Sequence, residues 1–327
     1  MRAFLTGASG FIGGHVLRAL EAEGTEVRCL VRAQSSRRNL AGSRAEVIEG
    51  DLTDPTVVRQ ALDGCDQVFH VAADYRLFAR RPDEIYASNV EGTRNVLAAS
   101  IDAGVERIVY TSTVGTLGPL PGDVAADETS PVTLADMVGH YKKSKYQAKQ
   151  VARQYAAAGG PIVIVHPSAP VGEADWKPTQ TGRIVVDFLR RRLPATVDTG
   201  LNLVDVRDVA AGHLLAAAKG RLGEEYILGH RNMTLREILA TLADITGLPA
   251  PRFELPHWIP LGVAAVDTAI SRVLPREPWL PLEAVQLSRH KMYFDPSKAV
   301  RELGLPQTPV EEALRRAVDW YRSNGYA

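Results

Sequence analysis

Met1–His15 reads MRAFLTGASGFIGGH. A short apolar run ends in the turn Gly7-Ala8-Ser9-Gly10, and an apolar, helix-like pattern containing Gly13 follows. Glycine tolerates positive φ and lets the backbone approach a ligand closely. The start of a helix offers unpaired N–H groups and a partial positive charge, which suit phosphate oxygens. A third glycine lets the helix pack closely on the strand. The spacing Gly7-x-x-Gly10-x-x-Gly13 therefore suggests a loop that cradles a dinucleotide pyrophosphate. It is not the G-x-G-x-x-G form, so the rest of the chain has to supply the other parts of such a site.

Working outward, short β-like runs alternate with helix-like stretches. Strands are expected at Ala3–Leu5, Glu26–Val31, Glu46–Glu49, Gln67–Val71, Arg107–Thr111 and Ile162–His166. Helices are expected at Ile12–Ala22, Pro55–Leu62 (capped by Asp54), Asp83–Ala103 and about Ala135–Ala158. Such alternation with apolar strands predicts an α/β fold whose parallel sheet is covered on both faces. The glycine turn then lies at the carboxyl end of the first strand, where open α/β sheets bind ligands. Beyond Pro167 the chain turns loop-like over residues 168–183. A strand at Leu201–Val206, a helix at Val209–Ala218 and a strand at Glu225–Leu228 read as a return to the sheet. Thr234 with Glu237 makes a capping-box start for a helix to Thr246, and a closing helix covers about Val310–Ser323. The division is a dinucleotide-binding domain over 1–170, rejoined by 201–230, and a smaller, mainly helical lobe from 171–200 and 231–327.

Bulk properties bound the partners. The 327 residues are 45% hydrophobic and 23% charged with a formal net charge of +0, which points to no nucleic-acid or anionic-membrane partner. Cys29 and Cys65 sit in apolar segments as expected buried thiols, which fits a reducing, cytoplasmic setting. The glycine turn interrupts any signal-peptide pattern, and Asp267 and Arg272 break the apolar stretch Trp258–Leu274, so no membrane span is expected. No metal site is expected.

Two hydroxyl-bearing segments carry the chemistry. Tyr141 and Lys145 stand four apart on one helix face, where a cation beside a phenol favours the phenolate and makes a proton donor or acceptor. The alternative is a solvated helix face, for which Lys142, Lys143 and Lys149 argue. Thr111-Ser112-Thr113 ends a strand and could hydrogen-bond a substrate oxygen as charge develops, or could simply be a strand-end turn.

The chain resembles the extended short-chain dehydrogenases/reductases over essentially its whole length. The resemblance rests on Thr6-Gly7-x-x-Gly10-Phe11-x-Gly13, Gly50-Asp51-Leu52, His70-Val71-Ala72-Ala73, Asn89-Val90-x-Gly92-Thr93, Tyr141-x-x-x-Lys145 and Asp208-Val209-Ala210. Within that family it is similar to the dihydroflavonol-reductase-like branch. Val71–Tyr75, Gly139–Lys145 and Asp198–Val204 resemble bacterial hopanoid-associated sugar epimerases. The resemblance implies a Rossmann-type fold with Tyr141 as general acid/base and Lys145 tuning it and holding the nicotinamide ribose. The family's catalytic serine falls on Thr113, with Ser112 beside it. Thr6, Gly7, Gly10, Phe11, Ile12 and Gly13 would border the pyrophosphate, and Asp51 and Leu52 the adenine. Val71, Ala72 and Ala73 would lie beside the cofactor, Asn89 behind the site, and Pro167 and Ser168 near the nicotinamide. A homodimer through the helices at 83–103 and 135–158 is also implied. One departure is Asp205-Val206-Arg207-Asp208 where the family has His-Val-x-Asp. That carboxylate and guanidinium make either a surface pair or an altered pocket or lobe contact.

The second strand ends Leu30-Val31-Arg32 and is followed by Arg37 and Arg38, with no acid where a free ribose 2′-hydroxyl would be bound. Guanidinium groups suit a 2′-phosphate. NADP(H) is therefore expected over NAD(H), although Arg37 and Arg38 also read as loop charges. NADPH favours net reduction of a carbonyl; the named relatives favour epimerisation on a retained cofactor; a non-catalytic cofactor sensor is a third reading. A small-molecule substrate would meet Asp74, Tyr75 and Arg76, the 171–183 loop with Trp176, Lys177 and Thr179, and the late apolar stretch. Trp258 and Trp279 are either a lid or core. Arg183, Arg190 and Arg207 are either phosphate ligands or solvated.

Overall fold

The eight runs read as strands are joined by two others, making ten among the residues that the computed structural model describes, 1–76, 81–120, 122–273, 278 and 282–327. They are β1 (Arg2–Thr6), β2 (Glu26–Val31), β3 (Glu46–Glu49), β4 (Gln67–His70), β5 (Arg107–Thr111), β6 (Ile162–Pro167), β7 (Ala169–Val171), β8 (Gly200–Asp205), β9 (Glu225–Leu228) and β10 (Arg231–Thr234). The helices of the first half are α1 (Phe11–Ala22), α2 (Pro55–Leu62), α3 (Pro82–Tyr86), α4 (Gly92–Asp102) and α5 (Gly139–Ala157). Those of the second are α6 (Gln180–Leu189), α7 (Val206–Lys219), α8 (Leu235–Thr246), α9 (Trp258–Val273), α10 (Leu282–Leu287), α11 (Ser297–Leu303) and α12 (Val310–Ser323).

Seven strands form one parallel sheet in the order β3-β2-β1-β4-β5-β6-β9. The central strands are buried on both faces, as their unbroken apolar runs require. One face packs Val16, Leu17 and Leu20 of α1 against Val209 and Ala216 of α7. The other packs Val58 of α2, Val96 and Leu97 of α4, and Val151 of α5. Strand order reverses between β1 and β4, and the carboxyl ends there make the crevice at which such sheets bind ligands.

The lobe has its own core, where Val185 and Phe188 of α6, Leu239 and Leu242 of α8, and Leu314 and Val318 of α12 meet. A three-stranded sheet, β10-β8-β7, underlies it. Here the expected boundaries need correcting. The strand read as rejoining the main sheet at 201–206 belongs to this smaller sheet, because β9 already fills the edge beside β6. Helix α7 and β9 do rejoin the main sheet. The 168–183 stretch read as loop contains β7 and the start of α6, whose first turn Thr179 caps by accepting from Gly182 N at 3.1 Å.

Two long helices differ from expectation for local reasons. The 83–103 helix is interrupted by a π-turn over Ala87–Glu91, a widening common at functional sites. The 135–158 helix starts only at Gly139, because Thr133 and Asp136 box off a separate 3₁₀ turn at Leu134–Asp136. Among the described residues no helix is long and apolar enough to cross a membrane, and no cluster of three His, Cys, Asp or Glu could hold a metal. Cys29 and Cys65 are buried free thiols, and burial pushes Cys29 up to about 12.

Candidate active site

The glycine turn takes its shape from contacts that a side chain would destroy. Gly7 has φ +81°, and a Cβ there would lie 2.7 Å from Ala72 N. At Gly13 a Cβ would lie 2.1 Å from Gly7 O, so α1 rests directly on the turn. No side chain caps α1, which leaves its first N–H groups facing the crevice. Asn39 clamps the turn from below, its amide donating to Ser9 O at 3.3 Å and Gly10 O at 3.0 Å. Sequence reasoning missed Asn39, because no spacing rule ties it to the turn.

A cleft of about 1620 Å³ opens at the carboxyl ends of the sheet and runs under the lobe. Ligand pockets commonly enclose about 300–1,000 Å³, so this one has room for a dinucleotide and a second molecule. Gly7, Gly10, Phe11, Ile12 and Gly13 line it, with Arg32, Asp51, Leu52, Val71, Ala72 and Ala73. So do Asp74, Tyr75, Ser112, Thr113, Tyr141, Lys145, Pro167, Ser168 and Trp176.

Three expected site residues do not line the cleft. The Arg37 guanidinium is paired with Glu49 at 2.9 Å, while its neighbour Arg38 faces the cleft and lies over the Trp176 ring at 4.9 Å. The Thr6 hydroxyl is buried beneath the turn, accepting from Ala72 N at 3.2 Å and sharing a proton with His70 Nδ1 at 2.8 Å. Asn89, set inward by the π-turn, accepts from Asp74 N at 2.7 Å and donates to Asp74 O and Ser144 Oγ, both at 2.9 Å. Asn89 therefore fixes the strand-end loop that carries Asp74 and Tyr75.

The hydroxyls at the strand end separate into two roles. Ser112 Oγ is buried against Thr116 Oγ1 at 3.1 Å. The Thr113 hydroxyl accepts from Gly115 N at 3.1 Å, capping a tight turn, and Thr113 lines the cleft together with Tyr141. Behind Thr113, His166 reaches its carbonyl at 3.2 Å and Glu225 at 2.8 Å, and Arg153 closes on Glu225. Burial would raise the Glu225 carboxyl, but His166 and Arg153 hold it down to about 2.

The solvated-face alternative fails for Lys142 and Lys149, which are buried together with Lys145, while Lys143 is half-buried. Lys145 Nζ donates to Thr111 O at 2.7 Å and to Tyr110 Oη at 3.3 Å, and burial pushes it down to about 7. Burial pushes Tyr141 up to about 12, and the Thr113 hydroxyl acts in the opposite direction.

Asp205 and Arg207 do not pair with each other's side chains. Asp205 caps α7 by accepting from Arg207 N at 2.9 Å and pairs with Arg316 of α12. Arg207 pairs with Glu173 at 2.7 Å, and Glu173 with Arg316 at 3.3 Å. The departure is a tether between lobe and sheet, outside the cleft. Of the late tryptophans, Trp258 is 71% exposed, while Trp279 lies outside the described residues.

Residues 3–229 match the model of the NAD dependent epimerase/dehydratase family. The chain belongs to that family. It is an extended short-chain dehydrogenase/reductase and an NAD(P)-dependent enzyme. It is 48% identical to a Synechocystis protein named "Putative dihydroflavonol 4-reductase", with 99% of this chain and 95% of that one covered. It is 35% identical to sterol demethylase protein B of Methylococcus capsulatus, with 99% of each covered. Among solved structures, gox2253 superposes with a TM-score of 0.88 at 43% identity, covering 99% of this chain and 98% of that one.

An NAD(P) nucleotide is typical of the family, and this chain's residues fit one. The uncapped start of α1, the side-chain-free surface of Gly7 and Gly13, and a buried Ser168 hydroxyl without a partner all face the same cleft.

Proposed function

We propose that this enzyme reduces a carbonyl group to an alcohol with NADPH, and that Thr113 and Tyr141 hold the carbonyl oxygen. The observation that carries the reading is that these two hydroxyl-bearing residues, with Lys145, line the same cleft as the glycine turn. Residues Gly7 to Gly13 would hold the pyrophosphate, Asp51 and Leu52 the adenine, and Lys145 the nicotinamide ribose. Val71, Ala72, Ala73, Pro167 and Ser168 would border the nicotinamide. When bound, the reduced nicotinamide supplies the hydride that adds to the carbonyl carbon. The Tyr141 phenol delivers its proton to the carbonyl oxygen, completing the alcohol. The Thr113 hydroxyl donates to that oxygen as negative charge develops. Lys145, carrying a proton, stabilises the tyrosinate left behind, and a proton from solvent restores the phenol.

One structural feature supports net reduction over epimerisation. Arg32 lies at the end of β2 with no ion-pair partner among the described residues, where a 2′-phosphate would be met. A relative in Stigmatella aurantiaca, 34% identical, is named as a ketoreductase of a farnesylated quinoline oxide, which supports the same direction. Epimerisation of a nucleotide sugar is the second reading; Arg183 and Arg192, which also line the cleft, favour it. Pairing into a homodimer through the helices at 83–103 and 135–158 remains part of the proposal.

The test is Tyr141→Phe. Turnover falls by about 10² or more while NADPH binding is nearly intact; near-normal turnover would remove Tyr141 from the mechanism. With substrate in hand, reduction consumes NADPH in step with product, whereas epimerisation isomerises the substrate with no net change.

A further inference from the structure

Beyond Tyr141 the cleft continues into the lobe, and its walls there are largely hydrocarbon. Leu193, Leu201, Ile238, Leu239, Leu255 and Met292 line this inner half. Its outer wall is α9 with Ile259, Pro260 and Val263, backed by Val285 and Leu287. Two of the polar side chains that reach this half are already engaged within the protein. The Asn202 amide donates to Asn232 Oδ1 at 2.8 Å and Phe294 O at 3.1 Å, and its carbonyl accepts from His230 N at 2.9 Å. The Thr196 hydroxyl donates to Phe253 O at 3.3 Å. Arg183, Arg192 and Asp187 also line the cleft, and the charges of the two arginines oppose the rise that burial gives the Asp187 carboxyl.

A sugar carried into this half would exchange its hydrogen bonds to water for contacts with saturated carbon, a loss of several kcal/mol per unpaired hydroxyl group on the least forgiving scale. A hydrocarbon would instead leave water for a wall that matches it. The apolar wall also reaches the surface. Val263 both lines the cleft and is 50% exposed, and Trp258 and Val266 on the same helix are 71% and 61% exposed. Apolar residues of α9 therefore both line the cleft and extend to the protein surface.

We propose that the substrate is a carbonyl compound with a large hydrocarbon body, long-chain or polycyclic, whose body fills the inner half beneath α9 while its carbonyl meets Thr113 and Tyr141. This rests on the carbonyl-reduction reading given above. Val263 and Ile259 are then specificity-determining residues, setting how much hydrocarbon the site takes. A chain longer than the cleft emerges over the exposed face of α9.

The test is a series of methyl ketones of increasing chain length, assayed with the full-length protein and NADPH. A buried methylene contributes about 0.8 kcal/mol, so kcat/KM rises about fourfold for each one added until the inner half is full. Val263→Asp, at a half-exposed position that tolerates a charge in the fold, lowers the ratio of kcat/KM between long and short ketones about tenfold or more. Calorimetric titration of the same ketones reads the same length dependence as affinity, independently of turnover. Reduction of ketones with a flat or falling length dependence overturns this inference alone. Reduction of no ketone of any length, with NADH or NADPH, overturns the reductase reading and this inference with it. Turnover of a nucleotide sugar in preference to every ketone also refutes the hydrocarbon-bearing substrate.

Discussion

Gly13→Ala isolates what the glycine turn does. The new methyl would lie 2.1 Å from Gly7 O and 2.5 Å from Gly7 C, where carbon contacts settle at about 3.5–4.0 Å. The turn cannot retreat, because Gly7 itself lies against Ala72, with only 2.7 Å between a Cβ position and Ala72 N. Helix α1 and the turn must therefore separate by more than about 1 Å. Overpacking of this kind costs about 1–3 kcal/mol, offset by up to about 1 kcal/mol because alanine suits a helix better than glycine. The net loss of about 1–2 kcal/mol lowers Tm by a few degrees. Cofactor binding suffers far more. Each charge-assisted hydrogen bond from the turn to a phosphate is worth about 1.5–3 kcal/mol, and displacing two weakens NADPH binding by more than about a hundredfold. Thermal unfolding gives the first quantity and fluorescence titration with NADPH the second. A variant that binds NADPH within about threefold of the parent would show that the turn does not hold the pyrophosphate.

Further predictions concern the cofactor, the lobe tether and acid stability. Arg32→Ala weakens NADPH binding by about ten- to a hundredfold, from the loss of one charge-assisted bond, with NADH much less affected; equal losses for both cofactors in titration sink the assignment. Asp205→Asn keeps an oxygen to cap α7 but removes one carboxylate from the four-charge cluster of Arg207, Glu173, Arg316 and Asp205. The partner left behind is only partly exposed, so urea unfolding should report a loss of about 2–3 kcal/mol; an unchanged midpoint argues against the tether. Glu225 is held at about 2, below its ordinary value of 4.5. Its contribution, on the order of 3 kcal/mol, is therefore full above about pH 4.5 and is lost as pH falls through 2. The stability gap between the parent and Glu225→Gln, measured by urea unfolding, is widest at pH 6 and less than half as large at pH 3; a gap independent of pH contradicts the His166–Glu225–Arg153 network.

What could be read from residues alone followed the range of the forces involved. β2, β3, β5 and β9 fall where their apolar runs predict, and the Thr234–Glu237 box starts α8 where its spacing predicts. These elements are decided by neighbours in sequence. The sheet that β8 joins was not legible, because β-pairing is chosen by strands far away in the chain, and the edge beside β6 was taken by β9. The π-turn at Ala87–Glu91 has no marker in a pattern that reads as continuous helix. The glycine turn and the Tyr141/Lys145 pair were marked by their own spacing, while most other residues now found lining the cleft, Asp51, Leu52, Pro167 and Ser168 among them, were named only through the family resemblance. Which of two adjacent arginines faces inward was not legible, because Glu49, a residue of β3, captures Arg37 and leaves Arg38 for Trp176. Nor was the burial of Lys145, which depends on everything packed around it and leaves no trace in a four-residue spacing.

The way α9 is attached bears on how this enzyme could be remodelled. The stretch carrying it pairs with the body at Glu254, opposite Thr196, and again at Met292, opposite Leu201. Those two anchor points are near neighbours in the chain that they pair with. The segment between them thus leaves and rejoins at almost one place, in the manner of a handle on a cup. The rest of the lobe is different, because Asp205 ends one of its strands and also caps a helix of the main sheet. That frame cannot be cut out and replaced without breaking both layers. The handle can be exchanged whole between related chains. Such transplants would carry a donor's substrate preference into a host whose glycine turn, Thr113 and Tyr141 remain untouched.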